Sequence, residues 1–185
     1  MTTYTTLKKI RAQSPCAGGW AKLLRYLDKT QPDDEPLALV TILDSNGLDD
    51  ALWCLRACDD IDREARLYAV WCARQVRHLM TDPRSLAALD VAERYAEGEA
   101  TGEELTAARA AASVAATDVA TDAARAVAKA AASVAACDAA RGTASVAASV
   151  AAWDASSDKA WDPASEAAWD AARDAQAAEF RRRFA

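Results

Sequence analysis

Ile61-Asp62-Arg63-Glu64-Ala65-Arg66-Leu67-Tyr68-Ala69-Val70-Trp71-Cys72-Ala73-Arg74-Gln75-Val76-Arg77-His78-Leu79-Met80 reads as one amphipathic helix, and the rest of the chain is organised around it. Asp59 or Asp60 supplies a cap at its start. Ala65, Tyr68, Ala69, Cys72, Val76, Leu79 and Met80 recur at helical spacing and form a core-facing stripe. Arg63, Arg66, Arg74 and Arg77 fall within about 80° of one another on a different face, at about 100° per residue. Such a basic stripe meets solvent, the chain's own acids, an acidic partner or a small ligand.

Towards the N-terminus the elements are short. Leu7 to Ala12 is a weak helical opener, and Ala21 to Leu27 follows as a helix after the flexible Gly18-Gly19 pair. Gln31 to Glu35 is a polar linker. Pro36 opens the apolar run Leu37 to Leu43, whose Val and Ile would suit a buried strand. The run ends at Asp44-Ser45-Asn46-Gly47, and its glycine is a helix stop, so the run is read as a helix. With Gly47 at loop position six, an EF-hand would need an acid where Ile42 stands, so this turn is no calcium loop. Asp49-Asp50 then precedes a helix from Ala51 to Ala57.

Towards the C-terminus the punctuation is sharper. Asp82-Pro83 is an N-cap followed by proline in the first helical position, opening Arg84 to Glu97. Gly98 ends that helix, and Thr101 with Glu104 three residues on makes a capping box for the next. From there the composition changes. Between Ala107 and Ala178 there are 34 alanines, so the best helix former dominates the segment. A four-residue unit repeats through it, as in Ala151-Ala152-Trp153-Asp154 and Ala167-Ala168-Trp169-Asp170. Asp118, Asp122, Asp138, Asp154, Asp158, Asp162, Asp170 and Asp174 share one phase of this frame, and Trp153, Trp161 and Trp169 share the phase before it. Gly142 and Asp162-Pro163 break a helix that would otherwise run about 108 Å. Three helices are expected, near 102–141, 143–161 and 163–184. Alanine buries little area, so Trp and Val are expected to supply most of the anchoring.

The reading is an all-α protein: a multi-helix N-terminal region over residues 1–100, packed with an Ala-rich helical hairpin or bundle over 101–185 as one continuous domain. The 28 acids against 22 Lys and Arg, for a net charge of −6, disfavour direct nucleic-acid binding, which needs cations to replace phosphate counterions. No charged-then-apolar leader opens the chain and no apolar run is long enough for a membrane span, so a cytoplasmic protein without membrane contact is expected. Cys16, Cys54, Cys58, Cys72 and Cys137 are odd in number and scattered, which suits buried free thiols in a reducing compartment. Cys54 and Cys58 share a helical face, but Cys72 and His78 stand about 120° apart, so neither zinc nor any other cofactor is expected. One histidine, no phosphate loop and no nucleophile with an evident base give no catalytic constellation, and a non-enzyme is expected.

The aspartate phase is the best functional lead. Asp154, Asp158 and Asp162 stack like charges four residues apart, as do Glu166, Asp170 and Asp174, each pair costing a few tenths of a kcal/mol. An acidic surface kept at that cost suits a partner with a basic surface, so Asp118, Asp122, Asp154, Asp158, Asp170 and Asp174, with Trp153, Trp161 and Trp169, are the candidate partner-binding residues. A DNA mimic would need two or three such helices side by side, because one charge per about 6 Å is sparse against one per about 1.7 Å in duplex DNA. Ice binding by spaced threonines fails in register, since the position after Thr106 and Thr117 is Ala128.

Three phrases carry a family resemblance: Leu48-Asp49-Asp50-Ala51-Leu52-Trp53-Cys54-Leu55-Arg56, Arg66-Leu67-Tyr68-Ala69-Val70-Trp71-Cys72-Ala73-Arg74, and Ala87-Ala88-Leu89-Asp90-Val91-Ala92-Glu93-Arg94-Tyr95-Ala96-Glu97-Gly98. With the Ala-rich tail ending in Arg181-Arg182-Arg183, they resemble the alanine-rich immunity proteins of bacteria and their phages, over roughly residues 40 to 185. The resemblance implies a non-catalytic inhibitor that binds and neutralises a toxin or nuclease. A phage counter-defence (anti-CRISPR-like or other anti-defence) protein on a host defence effector, and a self-assembling homo-oligomer with a Trp153-Trp161-Trp169 seam, are the alternatives.

Overall fold

In the computed structural model, which describes residues 2–118 and 163–185, the chain is all-α apart from one small two-stranded sheet. In chain order the described elements are β1 (Tyr4–Thr5), α1 (Leu7–Ala12), α2 (Ala17–Tyr26), β2 (Leu37–Ala38), α3 (Leu39–Asn46), α4 (Leu48–Cys54), α5 (Asp62–Gln75), α6 (Pro83–Glu97), α7 (Gly102–Asp118) and α8 (Pro163–Phe184). Single 3₁₀ turns follow α4 at Leu55–Ala57 and α5 at Arg77–Leu79.

The central helix is shorter than its apolar stripe. It ends at Gln75, where Val76 adopts φ −103° and ψ 19°, and the 3₁₀ turn carries the chain on to Met80. The stripe still serves one core: Ala65, Tyr68, Ala69, Cys72, Val76 and Met80 are all buried. Helix α5 packs against α6, α6 against α7, α3 against α2 and α4, and α8 across α5, α3 and α4. Leu105 and Ala112 of α7 and Phe180 and Phe184 of α8 belong to the same apolar cluster as Leu7, Leu39 and Leu52.

The caps expected around α6 and α7 form, but the one expected from Asp59 or Asp60 does not: α5 begins at Asp62, with Ile61 at the cap position and no side-chain cap bond. The Asp82 carboxylate accepts from the Arg84 backbone N–H, and Pro83 fills the first position of α6. Gly98 ends that helix in the left-handed region, at φ 81° and ψ 14°. Thr101 and Glu104 form the reciprocal box, Oγ1 accepting from the Glu104 N–H at 3.2 Å and the Glu104 carboxylate from the Thr101 N–H at 2.7 Å. Gly47 joins α3 to α4 at φ 98° and ψ 177°, a conformation open in practice only to glycine.

Three local expectations are corrected. Gly18 and Gly19 lie inside α2 rather than before it, because the helix starts at Ala17 with the Cys16 thiol accepting from the Gly19 N–H at 3.3 Å. The Leu37–Leu43 run divides: Leu37 and Ala38 pair antiparallel with Thr5 and Tyr4, and only then does α3 begin. Cys16 is exposed, unlike the buried Cys54, Cys58 and Cys72; Cys137 lies outside the described residues.

The last helix is anchored differently from the expectation for the Ala-rich tract. Its span, Pro163–Phe184, is the one that Asp162-Pro163 predicts. Phe180 and Phe184 fill the core, whereas Trp169 is half-buried, and in α7 Val114 is exposed. Phe180 meets the Tyr68 ring edge-on at 5.9 Å and lies 4.6 Å from the Phe184 ring, tilted 45° to it. The Tyr68 hydroxyl donates to the Gln176 carbonyl at 3.3 Å, inside α8. The N-terminal strand closes the joint: the Thr3 N–H donates to the Phe184 carbonyl, one of the acceptors a helix end leaves over, and the Leu39 N–H donates to the Thr3 carbonyl. The helix expected near 143–161, and the end of the one expected to reach 141, lie outside the described residues.

Candidate partner-binding surface

Among the described residues, the arginines of α8 are paired with acids, while two of its aspartates pair with no cation. Arg173 is 18% exposed and reaches Asp49 of α4 at 2.5 Å, while its other nitrogen donates to Gln176 Oε1 at 3.3 Å. Arg181 pairs with Asp44 of α3, and Arg183, 14% exposed, lies 3.5 Å from Glu64 of α5 and 2.6 Å from Glu179. The arginines of this helix therefore turn to acids of the N-terminal half, or to Glu179 beneath them in the last turn, where cations also suit the helix dipole. Asp170 and Asp174 are exposed. They are four residues apart on one helix face, and no Lys or Arg among the described residues pairs with either. Trp169 stands half-buried beside them in sequence.

Of the other candidate acids, Asp118 is the last described residue of α7. Asp122, Asp154, Asp158, Trp153 and Trp161 lie outside the described residues. The four arginines of the central stretch are not presented as one exposed stripe. Arg66 is 2% exposed, its guanidinium 5.2 Å over the Tyr95 ring of α6. Arg74 donates to Asp90 and Glu93 of α6, at 3.1 and 2.5 Å. Arg63 pairs with its neighbour Glu64, and Arg77 is exposed on the 3₁₀ turn beyond the helix. Two of the four thus join α5 to α6, and the helix break at Val76 removes the regular spacing that would align Arg77 with the rest.

The electrostatics of the interior limit its chemistry. Burial pushes the Cys54 and Cys72 thiols up to about 12, so at neutral pH they stay protonated and poorly nucleophilic. Burial also pushes the Tyr68 phenol far above its ordinary value, which suits a hydroxyl that donates. Glu179 is raised by burial, but hydrogen bonds from Arg182 and Arg183 outweigh that and hold its carboxyl below the usual range. Among the described residues no three His, Cys, Asp or Glu side chains are grouped to hold a metal ion, and no helix is long and apolar enough to cross a membrane.

The sequence reading did not single out Phe180 and Phe184 as the residues that fix this surface. Their signal was their spacing, four apart at the end of an Ala-rich tract, which places both on one helix face. Comparison with known protein families, curated proteins and solved structures gives no match.

Proposed function

We propose that the protein is a non-catalytic inhibitor that binds a basic protein, a toxin or nuclease, through an acidic helical surface that includes Asp170 and Asp174. The observation that carries the reading is the pairing of charge on α8: Arg173, Arg181 and Arg183 are engaged by Asp49, Asp44 and Glu64, and the two aspartates are left exposed without counter-ions among the described residues. Repulsion between carboxylates four apart costs a few tenths of a kcal/mol, and Arg173 is the nearby cation that would have relieved it. A basic partner supplies the missing charge. Such a surface speeds association and makes it salt-sensitive. The resemblance of the three central phrases to alanine-rich immunity proteins supports the same reading, and the acids of the Asp phase at 122, 154 and 158 extend it by sequence.

The test is capture from the native host lysate at low salt, followed by a salt step. A single basic protein that elutes with salt supports the inhibitor and identifies its target. An empty capture, with the protein running as a defined oligomer, refutes it in favour of self-assembly.

A further inference from the structure

Between α2, α3 and α4 lies a pocket of about 80 Å³ whose lining includes Trp20, Leu23, Ile42, Asn46, Asp50 and Trp53. Its polar edge is built by close packing. The Asn46 amide donates to the Gly19 carbonyl at 2.8 Å and to Asp50 Oδ2 at 2.7 Å. A Cβ on Gly19 would stand 2.6 Å from that same oxygen, so glycine in the first turn of α2 is what lets the carboxylate reach the pocket wall. Asp50 is half-buried, and no Lys or Arg among the described residues pairs with it. The cations nearby are otherwise engaged: Lys22 donates to the Asn46 carbonyl at 3.5 Å, and Arg11 and Arg56 lie 5.6 and 4.5 Å over the Trp20 and Trp53 rings.

A carboxylate drawn partly out of water beside apolar walls is stabilised by a cation that joins it there. Indole faces attract the same kind of charge. At roughly 10–15 Å³ per water-sized group, the cavity holds about five to eight non-hydrogen atoms. We infer that this pocket binds a primary alkylammonium group on a chain of about four carbons. The chain lies against Leu23 and Ile42, and the ammonium reaches Asp50 beside the two indoles. That chemistry is shared by a free small amine and by a lysine side chain on another protein. The inference does not rest on the acidic surface of α8, since neither Asp170 nor Asp174 lines this pocket.

The test is an NMR titration of the intact protein with n-butylammonium, following the Trp20 and Trp53 indole signals, with 1-butanol as the neutral control. The expected result is saturable shifts with a dissociation constant on the order of 1 mM, as befits a ligand of this size. Asp50→Asn keeps the acceptor for Asn46 and is expected to weaken binding about tenfold or more, while Arg56→Gln removes a competing cation and is expected to tighten it. Nα-acetyl-lysine methylamide binding as well as n-butylammonium marks a protein lysine as the occupant, and binding of the free amine alone marks a small amine; both support the pocket. Butanol binding equally well, or a folded Asp50→Asn protein binding unchanged, or no saturable shift, overturns the inference.

Discussion

Replacing Phe180 by alanine asks how much of the fold depends on α8. The side chain is fully buried, edge-on to Tyr68 at 5.9 Å and 4.6 Å from Phe184. A Phe→Ala change in such a site costs about 3–5 kcal/mol from lost transfer energy and the residual cavity. Each kcal/mol moves the melting temperature by about 2–4 °C for a chain of this size, so the expected drop is roughly 6–20 °C. The matched control is Arg181→Ala, which removes a half-exposed ion pair with Asp44 and is expected to cost less than about 1 kcal/mol. Urea unfolding of parent and both variants, followed by tryptophan fluorescence, gives the two costs from the midpoints. If Phe180→Ala costs no more than Arg181→Ala, α8 is not part of the core.

Other consequences follow from the same contacts. Gly47→Ala puts a Cβ at φ 98° and ψ 177° and is expected to lose about 1–3 kcal/mol by denaturant melts, although nothing crowds the position. Among the four described cysteines, only Cys16 is expected to react with a thiol reagent in the native state; Cys54 and Cys72, held up to about 12 by burial, are expected to label only on unfolding, as peptide mapping would show. Glu179 has a folded pKa below 4.5, so its contribution to stability is present above that pH and is lost as pH falls through the lower, folded value. Glu179→Gln is therefore expected to be destabilising at pH 7, with the gap to the parent closing in melts taken well below pH 4.5.

Local signals in the sequence were read most faithfully where one residue type answers one backbone need. Asp82-Pro83, Gly98 and the Thr101–Glu104 box each satisfy hydrogen-bonding groups within a single turn, so no distant contact can change their meaning. Gly19 reads as flexible in isolation, yet its lack of a Cβ is used for the approach of Asp50, a residue of another helix. Leu37 and Ala38 become strand because Tyr4 and Thr5 arrive beside them, a pairing no window around residue 40 contains. Arg66 looks like a member of a basic stripe until Tyr95 covers it. The acidic phase was legible because it is periodic. Which of its cations would turn inward was not, since that depends on Asp44, Asp49 and Glu64, more than a hundred residues earlier in the chain.

The proposed function rests on acids of the Asp phase binding a basic protein. The most direct measurement is the low-salt lysate capture run side by side with the parent and with a variant carrying Lys at 154, 158, 170 and 174, after circular dichroism has shown both to be equally helical. The parent is expected to retain a basic protein that a salt step releases, and the variant to retain none of it. Equal capture by the two, undiminished by salt, would contradict it.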